Sequence, residues 1–158
     1  MGIHIPEEAV VAELIKKEYR ITTAESCTGG MIASSLVNVP GASAIFEEGY
    51  ITYSNDAKHK LLGVSEQVLS AFGAVSHQVA AQMAIGAAKS AMAQVAVSVT
   101  GIAGPDGGTS AKPVGLVYIG CYVNGETIVT ENHFSGNRTE IRQQTAAKAL
   151  ELVLEQLG

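Results

Sequence analysis

Tryptophan is absent from the sequence, and aromatic residues together make up only 5% of it, so the core has to be assembled largely from Ala, Val, Ile and Leu. Cysteine is nearly as scarce. Cys27 and Cys121 are the two present, and they show no CxxC spacing, which excludes a disulfide framework. The four histidines are His4, His59, His77 and His133. No two stand three or four positions apart and no loop is rich in acids, so no metal site is expected. No apolar run approaches the ~20 residues a membrane span needs, so no membrane association is expected. Basic residues number 10 against 15 acidic ones, for a net charge of −5. A basic stripe is missing, which argues against direct nucleic-acid binding, although a few local donors can still hold a small anion. The segment from Met1 to Pro6 is too short and too weakly apolar for an export signal, and Pro6 stands where a myristoylation site needs Ser or Thr. A reducing cytoplasm is the expected compartment.

What is present is enough apolar material for one compact domain, expected to span residues 1–158. A chain of this length buries roughly 70% of its unfolded surface, so it needs neither metal nor disulfide to hold its fold. Hydrophobic periodicity predicts a helix over 6–19, a strand over 21–25, a helix from near Thr28 to Val37 and a strand over 46–53. Ser54-Asn55-Asp56 starts a short helix that carries Lys58 and stops at Gly63. Ser65 and Ser76 are read as caps of two more helices. The second of these has Val79, Ala80, Met83, Ala84, Ala87 and Ala91 on one face. Val95–Val99 is a continuous apolar run of the kind buried on both faces of a sheet. A Gly- and Pro-rich loop from Thr100 to Gly115 follows it. Asn124-Gly125 joins strands over 116–123 and 126–134 into a hairpin, and a helix over 138–157 closes the chain. This order predicts a three-layer α/β/α sandwich with a mixed sheet of about five strands.

Four segments could carry chemistry. Ser26 lies where a short strand turns into a helix, in Ala24-Glu25-Ser26-Cys27-Thr28-Gly29-Gly30. Glycines let backbone N–H groups approach a ligand, and a helix start supplies unpaired donors, so the hydroxyl could attack a carbonyl beside oxyanion donors. A plain helix cap or an anion site would use the same residues. Cys27 is the rival nucleophile, but no histidine can be assigned to it, and a buried cysteine is more often a small hydrophobe. In Tyr53-Ser54-Asn55-Asp56-Ala57-Lys58, the early position of Lys58 in its helix disfavours a charged ammonium and suits a general base. Tyr53 could hydrogen-bond between Ser26 and Lys58. A solvated surface lysine is the plainer alternative. The loop Thr100-Gly101-Ile102-Ala103-Gly104-Pro105-Asp106-Gly107-Gly108-Thr109 follows the most buried strand, where open α/β sheets bind ligands. It lacks the P-loop pattern. Arg138 and Arg142 share a face of the last helix and could bind an anion, or pair with surface acids.

Together these segments resemble the C-terminal domain of the CinA family, whose stand-alone form is a nicotinamide-nucleotide amidase. The resemblance rests on Ala24 to Gly30, Gly49-Tyr50 through Lys58, Gly73 to Ser76, Val99 to Thr109, Lys112 to Gly115 and Phe134 to Arg138. It implies hydrolysis of nicotinamide mononucleotide to nicotinate mononucleotide and ammonia, by a serine–lysine mechanism without metal or other cofactor. It implies catalytic roles for Ser26, Lys58 and Tyr53. It further implies substrate contacts from Thr28, Gly29, Gly30, Thr100, Gly101 and Arg142. The partner expected is a small nucleotide substrate, and a homodimer is the default assembly. A non-catalytic nucleotide-binding or regulatory module would use the same loops without a neutral Lys58.

Overall fold

In a computed structural model, which describes residues 2–158, five strands form one mixed sheet in the order β2-β1-β3-β4-β5. The strands are β1 (Ile21–Glu25), β2 (Tyr50–Ile51), β3 (Val95–Gly101), β4 (Leu116–Val123) and β5 (Glu126–His133). β1 pairs in parallel with both β2 and β3, whereas β3–β4 and β4–β5 are antiparallel. Asn124 and Gly125 both adopt positive φ, 45° and 95°, as a tight two-residue hairpin requires.

Six helices cover the two faces: α1 (Glu7–Lys17), α2 (Met31–Val37), α3 (Asn55–Leu62), α4 (Glu66–Phe72), α5 (His77–Ala91) and α6 (Arg138–Leu157). Alternation along β3 assigns the layers. Val95, Val97 and Val99 pack with Val10, Leu14, Ile32, Leu36, Ile141 and Leu150 of α1, α2 and α6. Ala96 faces the other way, into a smaller cluster with Leu62, Leu69, Val79, Met83 and Ala87 of α3, α4 and α5. That second face is lined by small residues, and α5 lies close against it. The Ser98 hydroxyl donates to Ala80 O at 2.6 Å, and a Cβ on Gly120 would stand 2.8 Å from the same oxygen. The three-layer sandwich is thus the expected one, with a large cluster on one side and a tight, small-residue interface on the other.

Several boundaries differ from the expected ones. The strand expected over 46–53 is reduced to Tyr50–Ile51 and a lone bridge from Phe46 to Ile21. Between them no ladder pair joins the chain to β1, and the Thr22 hydroxyl donates to Glu48 O. The helix expected from Thr28 begins only at Met31, because residues 27–30 form a tight turn with Gly29 and Gly30 at positive φ. On α5, Ala88 is buried and Ala91 is half-buried, the reverse of what the face pattern predicts. β3 runs on to Gly101, so the glycine-rich loop starts at Ile102.

Candidate active site

The carboxyl ends of the parallel strands β1, β2 and β3 open onto one cleft, as expected for an open α/β sheet. Ser26 follows β1 directly and its N–H donates to Val99 O of β3. Thr52 and Tyr53 follow β2, and Ser54 then caps α3 by accepting from the Ala57 N–H at 3.0 Å. That cap fixes the direction of α3 and turns Lys58 inward.

Lys58 is 1% exposed, and its Nζ makes three hydrogen bonds: to Ser26 Oγ at 3.0 Å, to Thr52 O at 3.0 Å and to Tyr53 O at 3.3 Å. Among the described residues no carboxylate pairs with it. Burial lowers its pKa from 10.5 to about 8, with only a small opposing effect from Cys27. The geometry suits both protonation states. As an ammonium, Lys58 donates to all three oxygens. As a neutral amine it keeps two donors for the carbonyls and turns its lone pair to the Ser26 O–H.

The cleft has a volume of about 250 Å³ and is lined by Ser26, Cys27, Tyr53, Lys58, Ala74, Val75, Thr100, Gly101, Ala103 and Arg138. No acidic side chain is among them, so its potential favours an anionic ligand. A larger hollow of about 570 Å³ lies along residues 3–9, but it contains no paired nucleophile and base. Cys27 reaches the cleft wall with a thiol whose pKa burial pushes up to about 11. Arg142 and Lys58 oppose that rise without cancelling it, so the thiol is protonated at neutral pH and a poor nucleophile.

The other expected site residues divide. Thr100 and Gly101 line the cleft, with the Thr100 hydroxyl held by Ala74 O at 2.9 Å. Tyr53 lines it too, but its hydroxyl does not stand between Ser26 and Lys58. Its side chain points outward, 66% of the residue is exposed, and Arg138 donates to its hydroxyl at 3.4 Å. Only its main-chain carbonyl meets Lys58. Thr28 is fully buried and its hydroxyl donates to Glu25 Oε1 at 2.6 Å, away from any ligand. Gly29 and Gly30 shape the turn and do not line the cleft. Arg142 is engaged with that same turn: Nε donates to Cys27 O at 2.9 Å and an Nη donates to Thr28 O at 3.2 Å. The guanidinium that does line the cleft is that of Arg138, anchored by a 2.7 Å bond to Gly104 O.

Sequence reasoning missed Glu25. It is fully buried at the end of β1 and accepts from Thr28 Oγ1, from the Ile32 N–H at 2.9 Å and from the Ala33 N–H at 3.0 Å. The signal was an acid closing a buried strand just before a helix start that carries no capping side chain, since Gly30 occupies the cap position.

Fold and site together define an α/β protein with a buried serine–lysine pair at the carboxyl end of a mixed sheet. The sequence profile of the CinA C-terminal domain matches residues 4–157, and the chain belongs to that family. A CinA-like protein of Kosmotoga olearia is 56% identical over 147 residues, which is 93% of this chain and 36% of that protein. A putative competence-damage inducible protein of Clostridium beijerinckii is 52% identical with the same coverage. The chain therefore spans about a third of the length of these curated relatives. Among solved structures, a competence/damage inducible protein from Agrobacterium tumefaciens superposes with a TM-score of 0.93 at 44% identity. The match covers 99% of this chain and 98% of that one. A CinA superfamily protein from Escherichia coli gives 0.91 at 37% identity, covering 95% of this chain and 89% of that one. No helix among the described residues is long and apolar enough to cross a membrane.

Proposed function

We propose that the chain is an amidohydrolase that converts nicotinamide mononucleotide to nicotinate mononucleotide and ammonia through an acyl-enzyme on Ser26. The observation that carries this reading is the 3.0 Å contact between Ser26 Oγ and the buried, counter-ion-free Nζ of Lys58. A lysine pKa of about 8 leaves roughly a tenth of the amine neutral at pH 7. The resemblance to stand-alone nicotinamide-nucleotide amidases supplies the substrate, and the acid-free cleft with Arg138 at its edge suits a phosphate-bearing one.

Neutral Lys58 removes the Ser26 proton as Oγ attacks the carboxamide carbon. The oxyanion lies against N–H groups of the turn after Ser26. Lys58 returns the proton to the departing nitrogen directly, since the Tyr53 hydroxyl is held by Arg138, and ammonia leaves. Water then attacks the acyl carbon with Lys58 as base, releasing the carboxylate and restoring Ser26. The test is ammonia release from nicotinamide mononucleotide beside nicotinamide and free glutamine. Turnover of the nucleotide is expected, and Ser26→Ala and Lys58→Ala should each lower kcat by about a thousandfold or more. Near-wild-type rates in either variant would overturn the mechanism. Tight binding of the nucleotide without turnover by the wild type would make the chain a binding module instead.

A further inference from the structure

The turn from Ser26 to Gly30 is unusually well tied. The Ser26 N–H goes to Val99 O, Ser26 O accepts from the Gly29 N–H, and Ser26 Oγ meets Lys58. Cys27 O and Thr28 O both accept from Arg142, and Thr28 O also accepts from the Met31 N–H. Glu25 takes the Thr28 hydroxyl and the N–H groups of Ile32 and Ala33. Among the described residues, no oxygen of the protein accepts from the N–H groups of Cys27, Thr28 and Gly30, and the Cys27 N–H meets only the weakly accepting sulfur of its own thiol. Cys27 and Thr28 are buried residues, where backbone donors are almost always paired, so their N–H groups stand out. Both belong to the residues immediately after the nucleophile.

We propose that Glu25 is a positioning residue: its buried carboxylate and the Arg142 guanidinium both tie down the turn after Ser26 and so hold the Cys27 N–H, at the cleft wall, in place for the oxyanion. The inference rests on Ser26 being the nucleophile, as read above. A side chain on residue 30 could have capped α2, but Gly30 has φ of 107° and a Cβ there would meet the Ile51 side chain at 3.2 Å. The cap is therefore supplied from the strand before the nucleophile. One carboxylate then fixes Thr28, two residues after Ser26, and the helix behind it. Without the Thr28 hydroxyl bond the turn can rotate the Cys27 N–H away from the cleft while Ser26 and Lys58 stay in contact. The same carboxylate helps keep the neighbouring Cys27 thiol protonated, which suppresses a competing nucleophile.

The test uses Thr28→Val, which removes the hydroxyl at equal size, Thr28→Ser, which restores it, and Glu25→Gln, which turns an amide N–H₂ toward one of three donors. Each is assayed for kcat and KM on nicotinamide mononucleotide, for the rate at which a fluorophosphonate labels Ser26, and for thermal midpoint. In Thr28→Val we expect kcat and labelling to fall by about tenfold to a hundredfold with KM within about threefold, on the scale of a weakened oxyanion site. Thr28→Ser should recover most of both, and Glu25→Gln should behave like Thr28→Val. Folded Thr28→Val with full kcat and full labelling overturns the proposal, as does a loss confined to thermal midpoint. Labelling separates the two readings. If the wild type labels at Ser26 and Thr28→Val does not, positioning stands even if the nucleotide is not turned over. If the wild type is not labelled, the proposal falls.

Discussion

Lys58 is the residue on which activity should titrate. On the proposed mechanism its amine must be neutral to take the Ser26 proton, and burial sets its pKa at about 8. The expected profile of kcat/KM is a rise of about tenfold per pH unit below that value and a plateau above it. A flat profile between pH 6 and 9 in the wild type would exclude Lys58 as the base. Cys27 gives the opposite expectation. With its thiol pKa pushed up to about 11, it carries no useful thiolate near neutrality, so Cys27→Ala should keep kcat within about threefold. Loss of ammonia release in that variant, with Ser26 intact, would move the nucleophile to sulfur. At this scale the sequence was readable where chemistry forces a residue type. Lys58 was legible because a lysine at a helix start conflicts with a bland role, whereas Ser26 would serve equally as a helix cap and was singled out by the family resemblance. Tyr53 and Arg142 were misplaced because direction decides them. The Tyr53 side chain points out of the cleft while its carbonyl points in, and of two arginines on one helix face, the nearer to the helix start reaches the cleft. Periodicity fixes a face but not which turn of the helix meets which loop.

Helix α3 delivers Lys58, so whatever seats α3 sets the active site. Its seat is α5, and the two lie tight at Gly86, where an added Cβ would stand 1.8 Å from Leu62 O and 2.8 Å from the Leu62 carbonyl carbon. Those are backbone atoms at the end of α3 and cannot rotate aside. In an open helix interior, Gly→Ala stabilises by about 1 kcal/mol. Here the overlap has to be relieved by moving α3 or α5, and Gly86→Ala is expected to lower stability by about 2 kcal/mol or more. Because α3 carries the proposed base, kcat should fall as well, even in conditions where the variant is fully folded. Unchanged denaturant midpoint and kcat would show that the two helices separate without cost. Gly86 gave no sign of this in the sequence, since a glycine among alanines on a helix reads only as a weak position. The shortened strand near β2 was hidden for a similar reason. Residues 46–53 alternate as a strand should, but alternation says nothing of what lies beside them. A Cβ on Gly49 would stand 2.5 Å from Thr23 Oγ1 and 3.1 Å from the Phe46 ring, so a larger residue there would have to displace those side chains. The caps were more legible: Ser54, Ser65 and Ser76 each accept from a first-turn N–H, because a cap depends only on its own neighbours.

Over the whole molecule, the order of strands brings together residues that lie 32 positions apart, and it does so by burying an amine. That burial has a thermodynamic signature. In the unfolded chain Lys58 binds its proton up to about pH 10.5, whereas in the folded chain it gives it up near 8. Between those values the unfolded state holds more protons, so the Lys58 contribution to stability rises with pH, and below about 8 its destabilising effect is present in full. The shift from 10.5 to about 8 corresponds to roughly 3 kcal/mol. Other groups act in the same range with the opposite sign. Cys27 and Cys121 have thiols raised from 9.0 to about 11 and about 12, so each favours unfolding as pH climbs above 9. A stability curve of the wild type alone would mix these effects. The difference between wild type and Lys58→Met removes the Cys121 effect, and made in a Cys27→Ala background it also removes that of Cys27, whose thiol feels the Lys58 charge. Methionine keeps the length and apolar stem of lysine without the charge. As pH rises from 8 to 10.5 in that background, the chain with Lys58 is expected to gain on Lys58→Met by roughly 3 kcal/mol, or about 6 to 12 °C in thermal midpoint for a chain of this size. Parallel curves across that range would mean that Lys58 keeps an ordinary pKa in the folded chain. Almost none of the amine would then be neutral at pH 7, and the base assigned to Ser26 would have to be sought elsewhere.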